Sequence, residues 1–517
     1  MCVWFKDLIL VMENPIKFKW LHLLCSLAVL VSLLTGFRIH LLNGYDTLFL
    51  LSPILPQGQL HNWHLLAGIS IALLIPLYLI FGRTHANGRR SRAGRYHRNV
   101  HRLAYLFIPA TLITGSMLWL GESDLTWRQW HFYSVLGLLI YILLHGYIYF
   151  LQLGKTLLSA LFSRQMLTLN ASLFIALFGL AVTAIWALTS NLAPHKLTAL
   201  NINPQTHIDI DGKALEPFWK QAPKITLITD GGANFVDGQT PVSIQVAANE
   251  TESYFLFRWR DTTHSLEHLP LEKQQSRWWV LQQGFHRFDE QKFYEDKFAV
   301  MLSSSCGQGG DGTVHLGPKP LADKPANWHG KGYHASTDGR VRDIWHWKAV
   351  RTNDMFQADD NAFTPPLASR SGERRYTAGY HADGKESGAY VANWSWYSKQ
   401  SVEPKRLPLH ENTSKHLLAW FDSEPYQANK DNYPEGARLP STLYRSNRFE
   451  GDRADVRARA VWHQGFWTLE LARKHDTGSE LDVKLTTGTC VWVAAFDSAQ
   501  IAHTRHQRPI KLNYLSR

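Results

Sequence analysis

Five stretches of this sequence, residues 20–38, 61–82, 103–120, 129–151 and 167–189, contain no Asp, Glu or Lys, and the single Arg among them, Arg38, ends the first. About 20 apolar residues in helical form cross the hydrocarbon of a bilayer, and nothing in hydrocarbon solvates a charge. Each stretch is therefore expected to be a transmembrane helix. Beyond residue 190 the sequence turns polar, charged and rich in Trp and Tyr. The fold class expected is a membrane all-α bundle of five transmembrane helices with a four-helix core, joined to a soluble all-β sandwich. The expected boundaries are a cytoplasmic N-terminal segment at 1–19, the transmembrane domain at 20–190, a linker at 191–206 containing Pro194 and Pro204, and the soluble domain at 207–517.

Charge sets the orientation. The connection between the second and third stretches carries Arg83, Arg89, Arg90, Arg92, Arg95, Arg98 and Arg102 and no acidic residue, whereas residues 39–60 hold no Lys or Arg. Positively charged loops stay in the cytoplasm, so the N-terminus is expected inside. Five crossings then deliver the C-terminal domain to the other side, the periplasm if the membrane is a bacterial inner membrane. The run Leu8–Met12 is too short to serve as the apolar core of a cleavable signal. The formal charge of +11 is accounted for by the anionic lipid surface facing the Arg-rich loop, and no nucleic-acid partner is expected.

Four cysteines, Cys2, Cys25, Cys306 and Cys490, form no CxxC or CxxCH pattern. Thioether-bound haem and a four-cysteine zinc site are thereby excluded. Cys306 and Cys490 both lie in the soluble part, where a single disulfide can form outside the cytoplasm.

Histidines lie within the transmembrane stretches, where an ionisable side chain is a functional suspect by position. His22 lies near the start of the first and His64 near the start of the second, while the fourth holds both His131 and His145. Fourteen residues at about 1.5 Å each separate the last two by roughly 21 Å along the axis, and fourteen steps make nearly four full turns, so both project from one face. His22 matches the depth of His145, and His64 that of His131. Two bis-imidazole haem sites at two depths are expected, each held between packed helices. Gly36, Gly68, Gly115 and Gly137 lie in the same stretches, where small residues permit close approach. His61, His97 and His101 read as interfacial.

Trp20-Leu21-His22, His64-Leu65-Leu66-Ala67-Gly68 and Trp130-His131 with His145 resemble the bacterial cytochrome b561 and hydrogenase/formate dehydrogenase cytochrome b group over residues 15–155. That resemblance implies two b haems in a four-helix core, ligated by His22 with His145 and His64 with His131, and electron exchange with quinone or quinol. The fifth stretch lies beyond that core and reads as a tether.

In the C-terminal part, 242–248 and 254–260 flank a polar turn, a hairpin signal. Further strand-like runs are 298–302, 341–350, 388–397, 458–462, 466–472 and 490–496, with Gly465 in a turn. No long capped amphipathic helix interrupts them, and an antiparallel β-sandwich follows.

Ile208-Asp-Ile-Asp-Gly212 with Trp219 and Ala222, Phe257-Arg-Trp-Arg-Asp261, Tyr294–Met301 and Asp343–Ala349 resemble a β-sandwich family. It includes the haem-binding γ subunit of ethylbenzene dehydrogenase and related DMSO-reductase-type enzymes, and is distantly similar to DOMON modules and family 9 carbohydrate-binding modules. The resemblance implies one further b haem with Met and Lys as its axial pair. Met301 matches the strand methionine. For the partner, His346 and Lys348 share one strand face, Trp345 and Trp347 the other, and both His346 and Lys348 remain candidates.

Gly307-Gln-Gly309-Gly310-Asp-Gly312 fits GxGxxG, but Gly317, Pro318 and Pro320 follow where a dinucleotide fold needs a helix. The segment reads as a loop. No HExxH, GxSxG or Walker pattern occurs, and no acid/base pair is identifiable. Two functions fit: a membrane-bound relay of electrons between quinone and a periplasmic redox protein, or a membrane-anchored carbohydrate- or ligand-binding module or sensor using some of the 20 Trp residues as stacking platforms.

Overall fold

The computed structural model describes residues 15–42, 51, 54–56, 60–86, 94–120, 125–154, 169–192 and 195–515, the last apart from 283–291, 317–332, 367–374, 378, 383–387, 399–400 and 411–415. The chain divides into two compact units, Met1–Ala193 and Pro194–Arg517.

The first unit is helical: α1 Pro15–Leu42, α2 Leu60–Ala86, α3 Gly94–Leu120, α4 Leu125–Leu153 and α5 Leu169–Leu192. Helix α1 packs along α2 and α3 along α4. Leu21 and Leu74 are fully buried, with Leu24, Cys25, Leu77, Tyr78 and Phe178 around them, so α5 joins α1 and α2 through Phe178. Apolar side chains also point outward: Leu106, Ile113, Leu143, Leu180 and Leu188 are each at least 60 % exposed. In water such surfaces are unfavourable, and in lipid they are solvated. Four helices have the length and apolarity to cross a membrane, at Trp20–Leu41, Leu60–Leu79, Asn99–Leu120 and Thr126–Leu151. The expected fifth span is a helix, Leu169–Leu192, whose apolar portion among the described residues runs Ile175–Leu188. The one charge in the first span, Arg38, is buried and satisfied: its Nε donates to the Pro56 carbonyl at 3.0 Å and its Nη2 to that of Leu55 at 3.3 Å.

The second unit is built on thirteen strands: β1 His195–Asn201, β2 Lys224–Asp230, β3 Gln239–Ala248, β4 Glu252–Arg260, β5 Lys297–Ser303, β6 Arg342–Lys348, β7 Asp359–Phe363, β8 Arg375–Thr377, β9 Tyr380–Ala382, β10 Arg457–His463, β11 Phe466–Lys474, β12 Cys490–Phe496 and β13 Ile510–Tyr514. Their order is β8-β9-β7-β6-β5-β12-β13-β1-β3-β4-β11-β10, with β2 paired to β3. Strand β1 makes this a sandwich. Its residues His195–Ala199 run parallel to β13 and its Leu200 and Asn201 parallel to β3, so it passes from one sheet to the other.

The inner faces meet in one core. Val242, Ile244 and Val246 of β3, Phe255, Phe257 and Trp259 of β4, and Trp467 and Leu469 of β11 pack against Phe298, Val300 and Leu302 of β5, Trp345 and Trp347 of β6 and Val491 and Val493 of β12. Alternation along each strand dictates this division. The rings of Phe255 and Trp345 are 5.3 Å apart, and those of Trp347 and Trp467 4.9 Å.

The hairpin expected at 242–260 forms in register, Val246 opposite Phe255. Gln464 and Gly465 link β10 to β11 with φ of 48° and 80°, the left-handed pair that a two-residue hairpin requires and that glycine supplies at its second position. The expected run 388–397 divides into Tyr390–Ala392 and Trp394–Trp396, which join different small sheets. Residues 195–201, expected within a linker, are instead β1. Pro194 and Pro204 punctuate the chain on either side, while Leu197 and Ala199 alternate into the core.

Cys306 and Cys490 form a disulfide with Cα atoms 5.4 Å apart. The bond ties the loop after β5 to the start of its neighbour β12. That loop is the GxGxxG segment, and it is a turn and not a nucleotide cradle. Asp311 accepts from Ser303 Oγ and Ser305 Oγ at 2.5 Å and from the Gly307 amide at 2.7 Å, while Gly309, Gly310 and Gly312 take left-handed conformations.

Candidate functional site

In the helical unit the side chains expected to act together are neighbours. The rings of His64 and His131 have centres 6.2 Å apart, and those of His22 and His145 6.5 Å. With a metal–nitrogen bond of about 2 Å and a ring centre roughly 1.1 Å beyond the nitrogen, two imidazoles on opposite sides of one metal have centres about 6.2 Å apart. Both separations would admit a metal between the two rings. Helix α4 supplies one member of each pair, α1 and α2 the others.

The surroundings of the two pairs differ. His64 Nδ1 lies 3.1 Å from Thr35 Oγ1 and 3.0 Å from the Ser32 carbonyl, and His131 Nδ1 lies 2.9 Å from Thr114 Oγ1. Around the other pair stand phenols: the Tyr78 hydroxyl is 3.4 Å from His22 Nδ1, and the rings of Tyr141 and Tyr149 are 5.3 and 5.0 Å from that of His145. His101, expected at the interface, is exposed and also faces His145, with ring centres 5.9 Å apart. The glycines explain how the rings fit. A Cβ at Gly36 would stand 3.0 Å from His64 Cε1 and one at Gly115 3.2 Å from His131 Cε1, while at Gly137 it would strike the Phe107 ring at 2.3 Å. Nothing lies within 4 Å of a Cβ at Gly68.

In the sandwich, Met301, His346 and Lys348 lie on the outer face of β5 and β6. Ile344 is opposite Met301, Ala299 opposite His346 and Lys297 opposite Lys348. On the other side of β5, Trp492 is opposite Met301, Ala494 opposite Ala299 and Phe496 opposite Lys297. Ala299 and Ala494 thus form a low floor, across which the His346 ring stacks on Phe496 at 5.5 Å. Met301 and His346 are diagonal neighbours, and both are half-buried. His346 Nε2 is buried without a hydrogen-bond partner. Burial, with the charges of Lys348, Lys297 and Arg351, holds the imidazole well below its usual range and therefore neutral, the form that ligates metals.

Lys348 is differently engaged. Its ammonium forms an ion pair with Asp359 Oδ2 and donates to Tyr390 Oη at 3.0 Å. Arg453 Nε contacts Asp359 Oδ1 at 2.5 Å, and Tyr390 Oη donates to Oδ2 at 2.8 Å. Burial alone would raise the Asp359 carboxyl, but Arg453 and Lys348 outweigh it and hold the group far below the usual carboxylate range. The structure does not bring Lys348 to Met301. Asp359, Tyr390 and Arg453 had no signal in the sequence, because the cluster joins residues up to 105 positions apart only through the fold.

A second carboxylate group was equally hidden. Oxygens of Asp261, Asp296 and Asp497, all buried at the ends of β4, β5 and β12, lie within 4.8 Å of one another. Burial raises all three carboxyls, and repulsion adds to it at Asp261, through Asp497, and at Asp296, through Asp261.

No curated protein matches this chain. Among solved structures it is similar to a family 9 carbohydrate-binding module from Caldicellulosiruptor kristjanssonii in complex with glucose, at 9% identity over 62% of this chain and 97% of that one, with a TM-score of 0.23. It is also similar to a module of that description in complex with cellotriose, at 8% identity over 62% and 95%, with a TM-score of 0.22. A family model described as ethylbenzene dehydrogenase matches residues 216–508. That match takes in more than half of the sequence and nearly all of the sandwich, and the chain belongs to the ethylbenzene dehydrogenase family.

Proposed function

We propose that this protein is a membrane-bound b-type cytochrome that relays electrons between the quinone pool and a periplasmic redox protein. Two haems in the helical unit and one in the sandwich carry them. The observation that supports this most strongly is the pairing of four imidazoles at two depths, at ring separations of 6.2 and 6.5 Å that suit a metal between each pair. The resemblance of the first unit to cytochrome b561 and hydrogenase-type cytochromes b points the same way. When bound, haem supplies a one-electron couple, and centres near both surfaces divide the crossing into hops short enough for tunnelling. The chain's own residues do the remainder: His22, His145, His64 and His131 ligate, Gly36 and Gly115 admit the rings, and apolar helices exclude water.

In the sandwich, membership of the ethylbenzene dehydrogenase family supports an electron-transfer role, and Met301 with His346 is the favoured ligand pair. Both face the Ala299–Ala494 floor, and His346 offers an unpartnered nitrogen, whereas Lys348 is committed to Asp359.

Orientation rests on charge and on the disulfide. Besides the Arg-rich connection, Lys155 and Arg164 precede α5, so both of these connections are cytoplasmic and α5 is the fifth crossing. The Cys306–Cys490 bond belongs in an oxidising compartment, which the sandwich reaches after an odd number of spans. The exposed aromatic side chains Trp396, Tyr397, Trp420 and Phe421 favour a second reading, in which the sandwich is a carbohydrate-binding module on a membrane anchor.

Adding a short-chain quinol to the oxidised, detergent-solubilised full chain separates the readings. The relay is expected to develop the α and β absorption bands of a reduced b haem. Bands that appear with dithionite but never with quinol would remove quinone from the account, and a colourless protein would leave the binding module.

A further inference from the structure

We propose that Thr35 and Thr114 are positioning residues that fix the tautomer of His64 and His131, and thereby make this pair the lower-potential of the two membrane centres. The inference rests on the haem reading above.

The pattern is duplicated. Helix α1 contains Ser32-Leu-Leu-Thr35-Gly36 and α3 contains Thr111-Leu-Ile-Thr114-Gly115, each a hydroxyl residue, two aliphatics, Thr and Gly. Each lies in the first helix of a hairpin whose second helix brings the histidine. In both, the threonine hydroxyl turns back along its own helix: Thr35 Oγ1 donates to the Val31 carbonyl at 2.6 Å and Thr114 Oγ1 to that of Ala110 at 2.7 Å. The next carbonyls, of Ser32 and Thr111, are 3.2 Å away and also only accept.

A hydroxyl has one hydrogen. With that hydrogen on a backbone carbonyl, each threonine can offer its imidazole only a lone pair. His64 Nδ1 therefore donates to Thr35 Oγ1 and the Ser32 carbonyl, and His131 Nδ1 donates to Thr114 Oγ1. Both rings must carry hydrogen on Nδ1 and present a bare Nε2. The following glycine gives the ring edge its place, as the Cβ distances at Gly36 and Gly115 require. Threonine and glycine together thus define which nitrogen ligates and where it stands.

His22 is placed differently. Its Nδ1 faces the Tyr78 hydroxyl, a group able to donate or accept. The consequence is electronic. An imidazole whose N–H is held by acceptors is the more basic ligand, and a more basic ligand favours the oxidised metal. The His64–His131 centre is therefore the harder of the two to reduce.

The test is a redox titration of the full chain and of Thr35→Val and Thr114→Val, with Thr35→Ser and Thr114→Ser as the conservative forms. Valine keeps the shape of threonine and removes its oxygen. In the wild type two membrane waves are expected. In either valine variant the lower wave is expected to move up while the upper stays, the low-spin electron paramagnetic resonance signal of one centre is expected to change, and serine is expected to restore both. Loss of one haem with valine, regained with serine, also supports the proposal. Valine variants that keep both haems with both waves unmoved, or that shift both waves equally, overturn it while leaving the haem reading intact. A wild type without haem overturns both.

Discussion

Replacing His131 by alanine is expected to remove one of the two membrane haems and leave the other. The pairs share α4 but lie fourteen residues apart along it, about 21 Å at helical rise, so the loss of one imidazole is local. At the proposed His64–His131 site it takes away one of the two rings that would hold the metal, which stand 6.2 Å apart. The site at His22 and His145 keeps its rings and its tyrosines. Haem per chain in the variant should fall by one, with a single membrane wave remaining in the titration. His145→Ala should give the complementary loss. Unchanged stoichiometry in both variants would refute the pairing.

The largest effect on stability is expected at Asp359. It is fully buried and is shared by the ammonium of Lys348 and the guanidinium of Arg453, with Tyr390 as a further donor. Removing one partner of a buried ion pair strands the others at a cost of about 3–5 kcal/mol, and here two cations lose their anion. Asp359→Ala is expected to lose stability at the upper end of that range. Asp359→Leu combined with Lys348→Met and Arg453→Met should recover much of it, since well-packed apolar residues can replace a buried ionic group when all of its members are replaced. The pH dependence follows from the sign of the shift. The folded carboxyl titrates below its unfolded value of about 3.9, so its contribution is complete above that value and is lost as pH falls further. Denaturant unfolding of the full chain followed by Trp fluorescence should give the same difference between wild type and variant from pH 8 to pH 5, shrinking only below about pH 4. A difference under about 1 kcal/mol at neutral pH, the size of an ordinary hydrogen bond, would contradict this picture of the cluster.

How much of this was legible in the sequence depends on the range of the interaction. The spans were legible because hydrocarbon excludes charge over twenty consecutive residues, and the strands because one face of each must enter a core. The depth matching of His22 with His145 and His64 with His131 followed from helical rise alone. What failed was local punctuation read too literally. Pro194 and Pro204 marked a linker where β1 joins the two sheets.

The second layer around each site was not legible. Thr35 and Thr114 look like ordinary helix threonines until Nδ1 of a histidine on another helix is placed against them. Lys348 looked as good a ligand as His346 because both share a strand face. Only the fold sets Asp359 beside one and leaves Nε2 of the other without a partner.

The central claim is that imidazoles of this chain clasp iron porphyrin in pairs. The most direct measurement is pyridine haemochrome analysis of the purified full-length protein against its amino-acid concentration. Two b haems from the helical unit, with a third if the sandwich is loaded, is the expected result. A preparation folded and membrane-extracted in good yield, grown with haem available and yet free of porphyrin, would contradict the account.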